Sequence, residues 1–189
     1  MLQVRLHGRG GQGTVTAAEL LSVAAFYEGK FAQAFPSFGS ERMGAPVTSF
    51  CRLDIREIRL REPVVEPDAV LIQDATLLHA VDLFQGLRPD GYVLVNTGHR
   101  LTDLGLEDLV SRLPPTHVRT VAATELAVRH VGKALPNAGL LGAFAALTGA
   151  VNLGSIEQAV RARFQPRVAD GNVAAARAAY ASVKEGERC

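Results

Sequence analysis

The chain has 189 residues, 48% of them apolar and 21% charged, with a formal net charge of +1. That length and composition predict one soluble globular domain, residues 1–189, with a substantial core. The near-zero charge, with basic residues scattered, argues against nucleic acid or an anionic membrane as partner.

Gln3–His7 predicts a buried first strand. The run His7-Gly8-Arg9-Gly10-Gly11-Gln12-Gly13-Thr14 follows it. Thr14–Glu28 then predicts a helix, with Val15, Ala18, Leu21 and Ala25 on one face and Gly29 as its stop. Gly8, Gly10 and Gly13 stand at GxGxxG spacing. A strand, a glycine turn and a helix together present free backbone N–H groups to a phosphate. Glycine also lets a ligand approach the backbone closely.

Phe31–Phe35 is the second predicted strand and completes a β-turn-α-β unit. Pro36–Pro46 reads as a loop. Val47–Leu53 and Ile55–Leu60 both alternate and predict an antiparallel pair, because the Asp54 link is too short for a crossover helix. Ala69–Gln73, Tyr92–Val95 and Val118–Val121 predict further buried strands. Leu77–Leu83, Leu106–Leu113 and Thr124–Val131 predict helices between and after them. Pro136-Asn137 opens an apolar helix, Ala138–Leu147. Ser155–Phe164 and Val173–Lys184 are the last predicted helices, with Ser155 and Asp170 as caps. The alternation predicts a three-layer α/β/α sandwich, Rossmann-like, with a mostly parallel sheet made mixed near residues 47–60.

Several chemistries lack their residues. A dinucleotide site wants an acidic residue about 20 positions past the glycines. Here that region reads Phe31-Ala32-Gln33-Ala34-Phe35-Pro36. A P-loop needs Gly-Lys-Ser/Thr after the turn, and a hydrolase elbow needs Gly-x-Ser-x-Gly; the sequence has neither. Asp170-Gly171-Asn172 resembles a fragment of a thiamine-diphosphate motif, but the downstream Asn has no room before Cys189, so the fragment reads as a helix start. Cys51 and Cys189 make neither a disulfide framework nor an iron–sulfur ligand set, and the five histidines show no metal-like pairing. No metal site and no catalytic residue are expected on this chain. The longest apolar stretch, Ala138–Val151, is interrupted by glycine and too short to span a bilayer. The N-terminus enters a strand directly, so a cytoplasmic location is the default expectation. A phosphate-binding turn without a catalytic group suits a binding subunit.

Three segments in this order resemble one family. They are Gly8–Gly13 with Thr16-Ala17-Ala18-Glu19-Leu20-Leu21, the run Gln33–Val47, and Pro136-Asn137 followed by Leu141-Gly142-Ala143. The chain resembles, over almost its whole length, the gamma subunit of pyruvate (2-oxoacid):ferredoxin oxidoreductases. The resemblance implies an enzyme complex that oxidatively decarboxylates a 2-oxoacid, pyruvate or a branched-chain one, to acyl-coenzyme A and passes electrons to ferredoxin. It places thiamine diphosphate and the iron–sulfur clusters on alpha, beta and delta partner subunits. It assigns this chain a share in coenzyme A binding and in assembly. It carries over Gly10, Gly11, Gln12, Gly13 and Thr14 as the stretch that meets the coenzyme A phosphates. Arg42 corresponds to a basic position, and Asn137 and Asn172 to family asparagines.

Other readings stay open on the residues alone. The turn also suits a plain strand-to-helix link, Asn137 a helix cap, and Asn172 a helix start. Arg42 also reads as a solvated charge or an interface contact. Phe35, Phe38 and Met43 make the Pro36–Pro46 loop a possible subunit interface. A gamma-type subunit of an indolepyruvate or 2-oxoglutarate enzyme, and a free-standing nucleotide-binding module, are the alternatives.

Overall fold

The computed structural model describes residues 1–37 and 43–186. Six strands form one sheet: β1 (Leu2–Arg9), β2 (Phe31–Pro36), β3 (Pro46–Asp54), β4 (Ala69–Ile72), β5 (Tyr92–Asn96) and β6 (Val118–Val121). Their spatial order is β2-β3-β1-β4-β5-β6. Strands β1, β4, β5 and β6 run parallel, and β3 is antiparallel to both β1 and β2. The sheet is therefore mixed, as the sequence predicts, but by a different pairing. Ile55–Leu60 forms no strand. Ile55 is 77% exposed, so its alternating pattern has no second surface to bury. The antiparallel partner of β3 on its outer side is β2, paired from Phe31↔Asp54 to Pro36↔Ser49. The β-turn-α-β unit is accordingly split, with β3 inserted between β1 and β2.

Alternation along β1 builds two unlike faces. Val4 and Leu6 point into the main core, with Cys51, Leu71 and Leu94 from neighbouring strands. Helices α1 (Thr14–Tyr27), α3 (Ala123–Val131), α4 (Asn137–Thr148), α5 (Leu153–Arg163) and α6 (Pro166–Gly186) supply the rest of that core. Helix α4 is buried on all sides from Asn137 to Leu147, which is why its sequence is apolar all round. It lies close against α6 because Gly142 has no side chain: a Cβ there would strike the Ala176 carbonyl oxygen.

The other face is thinner. Val70, Ile72, Val93 and Val95 are covered by Leu77 of a three-ten turn, Leu83 of a loop, and Leu106 and Leu113 at the two ends of the short α2 (Glu107–Arg112). Over β1 and β3 two buried arginines hold loops against the sheet. Arg5 donates to the carbonyls of Leu83 (3.0 Å) and Gln85 (2.6 Å). Arg52 donates to Gln3 Oε1 (3.0 Å) and to the Glu62 carbonyl (2.6 Å). The fold is thus three-layered, with one layer built largely of loops.

Three local expectations change. Leu77–Leu83 is replaced by a three-ten turn, Ala75–His79, because Asp74 accepts from Thr76 N and caps it early. Ser155 is not a cap: α5 starts at Leu153, with Asn152 at the N-cap. Asp170-Gly171 does not start a helix, since α6 runs unbroken from Pro166. Gly171 sits inside α6 because a Cβ there would strike the His130 carbonyl at 2.5 Å.

Candidate functional site

The chain leaves β1 toward β2 on one side and later enters β4 on the other, so the carboxyl ends of β1 and β4 mark a topological switch point. Such switch points are where open α/β sheets hold ligands. The glycine turn fills this position. Gly11 and Gly13 take left-handed backbone angles, φ +93° and +76°. Gln12 braces the turn: its N–H reaches the Arg9 carbonyl (3.0 Å) and its Oε1 accepts from Arg9 N (2.8 Å). Its Nε2 donates to Asp74 Oδ2 (2.8 Å), tying the turn to the end of β4.

The far end of the Pro36–Pro46 loop is clamped to the same turn. Gly10 N donates to the Ala45 carbonyl (2.9 Å), and Gly44 N donates to the Gly10 carbonyl (3.1 Å). Arg9 donates to the Gly44 carbonyl (3.0 Å) and pairs with Asp74 (3.2 Å). Burial opposes ionisation of Asp74, but hydrogen bonds from Thr76 and Gln12 and the Arg9 charge hold its carboxyl below the usual carboxylate range. Arg9 and Asp74 neutralise one another at the turn.

Helix α1 begins here without a side-chain cap. The N–H groups of Thr14, Val15 and Thr16 have no acceptor within the helix, where the dipole favours an anion. Thr14, the first helical residue after the Gly13 N-cap, turns its hydroxyl inward and donates to Gln73 Oε1 (2.6 Å). Gln73 Nε2 donates to Asn137 Oδ1 (2.8 Å). Asn137 opens α4 but does not cap it; Pro136 holds the N-cap position. Its Nδ2 lies over Gly13 and donates no hydrogen bond among the described residues.

Six of the eight residues singled out from the sequence therefore converge: Gly10, Gly11, Gln12, Gly13, Thr14 and Asn137. Arg42 lies outside the described residues. Asn172 is buried within α6 and donates to the Val168 carbonyl (2.9 Å), one turn back in its own helix. Phe35 packs on Phe50 with ring centroids 5.2 Å apart, Met43 is 86% exposed beside Gly11, and Phe38 lies outside the described residues.

The sequence reading missed Gln73, Asp74 and Asn96. Asn96, at the end of β5, donates to the Gln73 carbonyl and to Thr124 Oγ1, both at 2.7 Å. The available signal was a polar residue closing each apolar strand, at the edge where ligands bind. Beyond Asn96 the same edge opens into a concavity of about 430 Å³ lined by Asn96, Thr97, Gly98, His99, Thr124 and Glu125.

Among the described residues, Cys51 and His7 are both poorly suited to act as nucleophile or base. Cys51 is fully buried, and burial pushes its thiol far above the ordinary range. Burial, with the Arg5 charge, lowers His7 to about 4, so it is neutral near pH 7. No group of three metal-ligating side chains occurs among the described residues. No described helix is long and apolar enough to cross a membrane.

The model of the pyruvate ferredoxin/flavodoxin oxidoreductase family matches residues 3–182. The chain belongs to this family. It is 51% identical over 162 residues to the pyruvate synthase subunit PorC of Methanosarcina barkeri, covering 86% of each chain. It is 47% identical to the gamma subunit common to the pyruvate and ketoisovalerate oxidoreductases of Pyrococcus furiosus, covering 95% of this chain and 96% of that one. The crystal structure of pyruvate oxidoreductase subunit PORC from Thermotoga maritima superposes with a TM-score of 0.79 at 35% identity, over 95% of both chains. This chain therefore matches the gamma-type subunits of 2-oxoacid:ferredoxin oxidoreductases over nearly their full length.

Proposed function

We propose that this chain is the gamma subunit of a heteromeric 2-oxoacid:ferredoxin oxidoreductase and that its glycine turn holds the phosphates of coenzyme A. The observation that carries this reading is the uncapped start of α1 with the Asn137 amide nitrogen over Gly13. Three helix N–H groups and one side-chain donor lie at the turn, available to an anion.

Coenzyme A supplies the thiol that accepts the acyl group. This chain's residues bind and orient it; holding the thiol at a fixed place relative to a neighbouring reactive centre is a proximity contribution. Thiamine diphosphate and the iron–sulfur clusters belong to alpha, beta and delta partner subunits in this reading, and ferredoxin meets the complex through them. Gly10, Gly11, Gln12, Gly13, Thr14 and Asn137 form the cradle. Arg42 and Asn172 remain proposed contributors on the strength of the resemblance.

The reading leaves the choice of 2-oxoacid to the partners. A gamma subunit shared by pyruvate and ketoisovalerate oxidoreductases in Pyrococcus furiosus supports that division. The proposed location is the cytoplasm.

The test is Asn137→Asp in the purified complex. The substitution keeps the shape and the bond from Gln73 but sets a carboxylate over the turn. Half-saturation by coenzyme A should rise about tenfold or more, as expected for loss of a hydrogen bond to a charged group. Half-saturation by the 2-oxoacid should stay unchanged. An unaltered coenzyme A dependence overturns the phosphate reading. A native protein that runs as a homo-oligomer, without iron-containing partners, overturns the subunit reading and favours a free-standing nucleotide-binding module.

A further inference from the structure

Gln73 is 2% exposed, and each of its polar groups has a partner. Its N–H donates to the His7 carbonyl (2.7 Å), and its carbonyl accepts from Asn96 Nδ2 (2.7 Å). Its Oε1 accepts from the Thr14 hydroxyl (2.6 Å), and its Nε2 donates to Asn137 Oδ1 (2.8 Å). Asn96 is itself held by Thr124, which supplies both an N–H (3.1 Å) and a hydroxyl (2.7 Å). The ends of β1, β4 and β5 and the starts of α1, α3 and α4 thus meet through one glutamine.

The direction of these bonds matters. An amide side chain has one accepting end and one donating end. Because Gln73 Nε2 occupies Oδ1 of Asn137, the other end of Asn137, the donor Nδ2, is the one over Gly13. Reversed, the same side chain would set an acceptor against a phosphate oxygen. The Gln73 bond to Thr14 also fixes the hydroxyl of the first residue of α1 toward the core.

We propose that Gln73 is the positioning residue of the anion site: it sets the polarity of the Asn137 amide and holds the Thr14 side chain at the start of α1. It acts through Asn137 and Thr14 and touches no ligand. The inference rests on the reading of the turn as the coenzyme A phosphate site, and the experiment separates the two.

The experiment measures coenzyme A half-saturation and kcat of the assembled complex carrying Gln73→Glu, Asn137→Ala, or both. Glutamate keeps the size of glutamine and still accepts from Thr14, but it also accepts from Asn137, which reverses that amide. Gln73→Glu should raise coenzyme A half-saturation about tenfold, at least as much as Asn137→Ala. It should leave kcat at saturating coenzyme A within about twofold, since only ground-state binding is affected. On the Asn137→Ala background it should add little, because the two residues act as one unit. General loosening of the fold would instead give additive effects and move kcat.

If Asn137→Ala weakens coenzyme A and Gln73→Glu does not, or if their effects simply add, the inference is overturned and the phosphate reading stands. If neither variant changes coenzyme A dependence, the phosphate reading itself has failed, and the inference with it. Should the Glu variant not assemble, Gln73→Met, which frees the amide without reversing it, should raise half-saturation about threefold; an unchanged value again overturns the inference.

Discussion

The side-chain amide of Asn137 stands directly over Gly13: a Cβ built on Gly13 would lie 2.5 Å from Nδ2. Gly13 also needs φ +76°, where an L side chain is strained. Gly13→Ala therefore suffers twice, from the backbone and from displacement of the amide. Gly29 is a natural control, with φ +73° and nothing within 4 Å of its would-be Cβ. Both alanine variants should lose about 1–3 kcal/mol of stability from the backbone. Coenzyme A half-saturation should rise in Gly13→Ala alone, which thermal unfolding and steady-state kinetics of the complex would show.

His7 gives a pH dependence with a definite sign. Burial and Arg5 hold it at about 4 in the folded chain, against about 6.5 for a free histidine. The folded state keeps His7 neutral while the unfolded state takes up a proton. Stability is fully present above pH 6.5 and falls as pH drops toward 4, where the loss levels off. The full contribution is roughly 3 kcal/mol. Denaturant titrations between pH 7 and pH 4 check it: His7→Gln should flatten the decline in that window, relative to wild type.

The contact of α4 with α6 predicts a packing cost. A Cβ on Gly142 would strike the Ala176 carbonyl, which cannot rotate away. Gly142→Ala should destabilise by about 1–3 kcal/mol, as other overpacked cores do. Gly154, in the first turn of α5, has open space where its Cβ would lie. Gly154→Ala should be neutral or stabilise by up to about 1 kcal/mol. Equal effects in the two variants would contradict the packing account.

What was legible in the sequence was local. Gly8–Gly13, the helix after it and the apolar helix from Ala138 announce themselves by spacing over a dozen residues. The three-layer class follows from the alternation of such pieces. Strand pairing was harder: Ile55–Leu60 alternates as well as Phe31–Phe35 does, and only the sheet decides which one pairs with β3. The site was half visible for the same reason. Thr14, Gln73 and Asn137 meet across separations of 59 and 64 residues, which no local pattern records. Asn137 looked like a helix cap because a cap is the local use of asparagine; a buried glutamine from another strand claims its oxygen instead. Asp170-Gly171 looked like a helix start because glycine is costly inside a helix, but close packing on His130 favours it there.

The central claim is that the turn recognises phosphate, and it is tested most directly by comparing coenzyme A with pantetheine, which carries the thiol without phosphates. The measurement is the half-saturation of the assembled complex for each thiol, in the wild type and in Asn137→Asp. The account predicts that Asn137→Asp weakens coenzyme A by about tenfold or more and leaves pantetheine unchanged. Equal weakening of both thiols, or of neither, would contradict it.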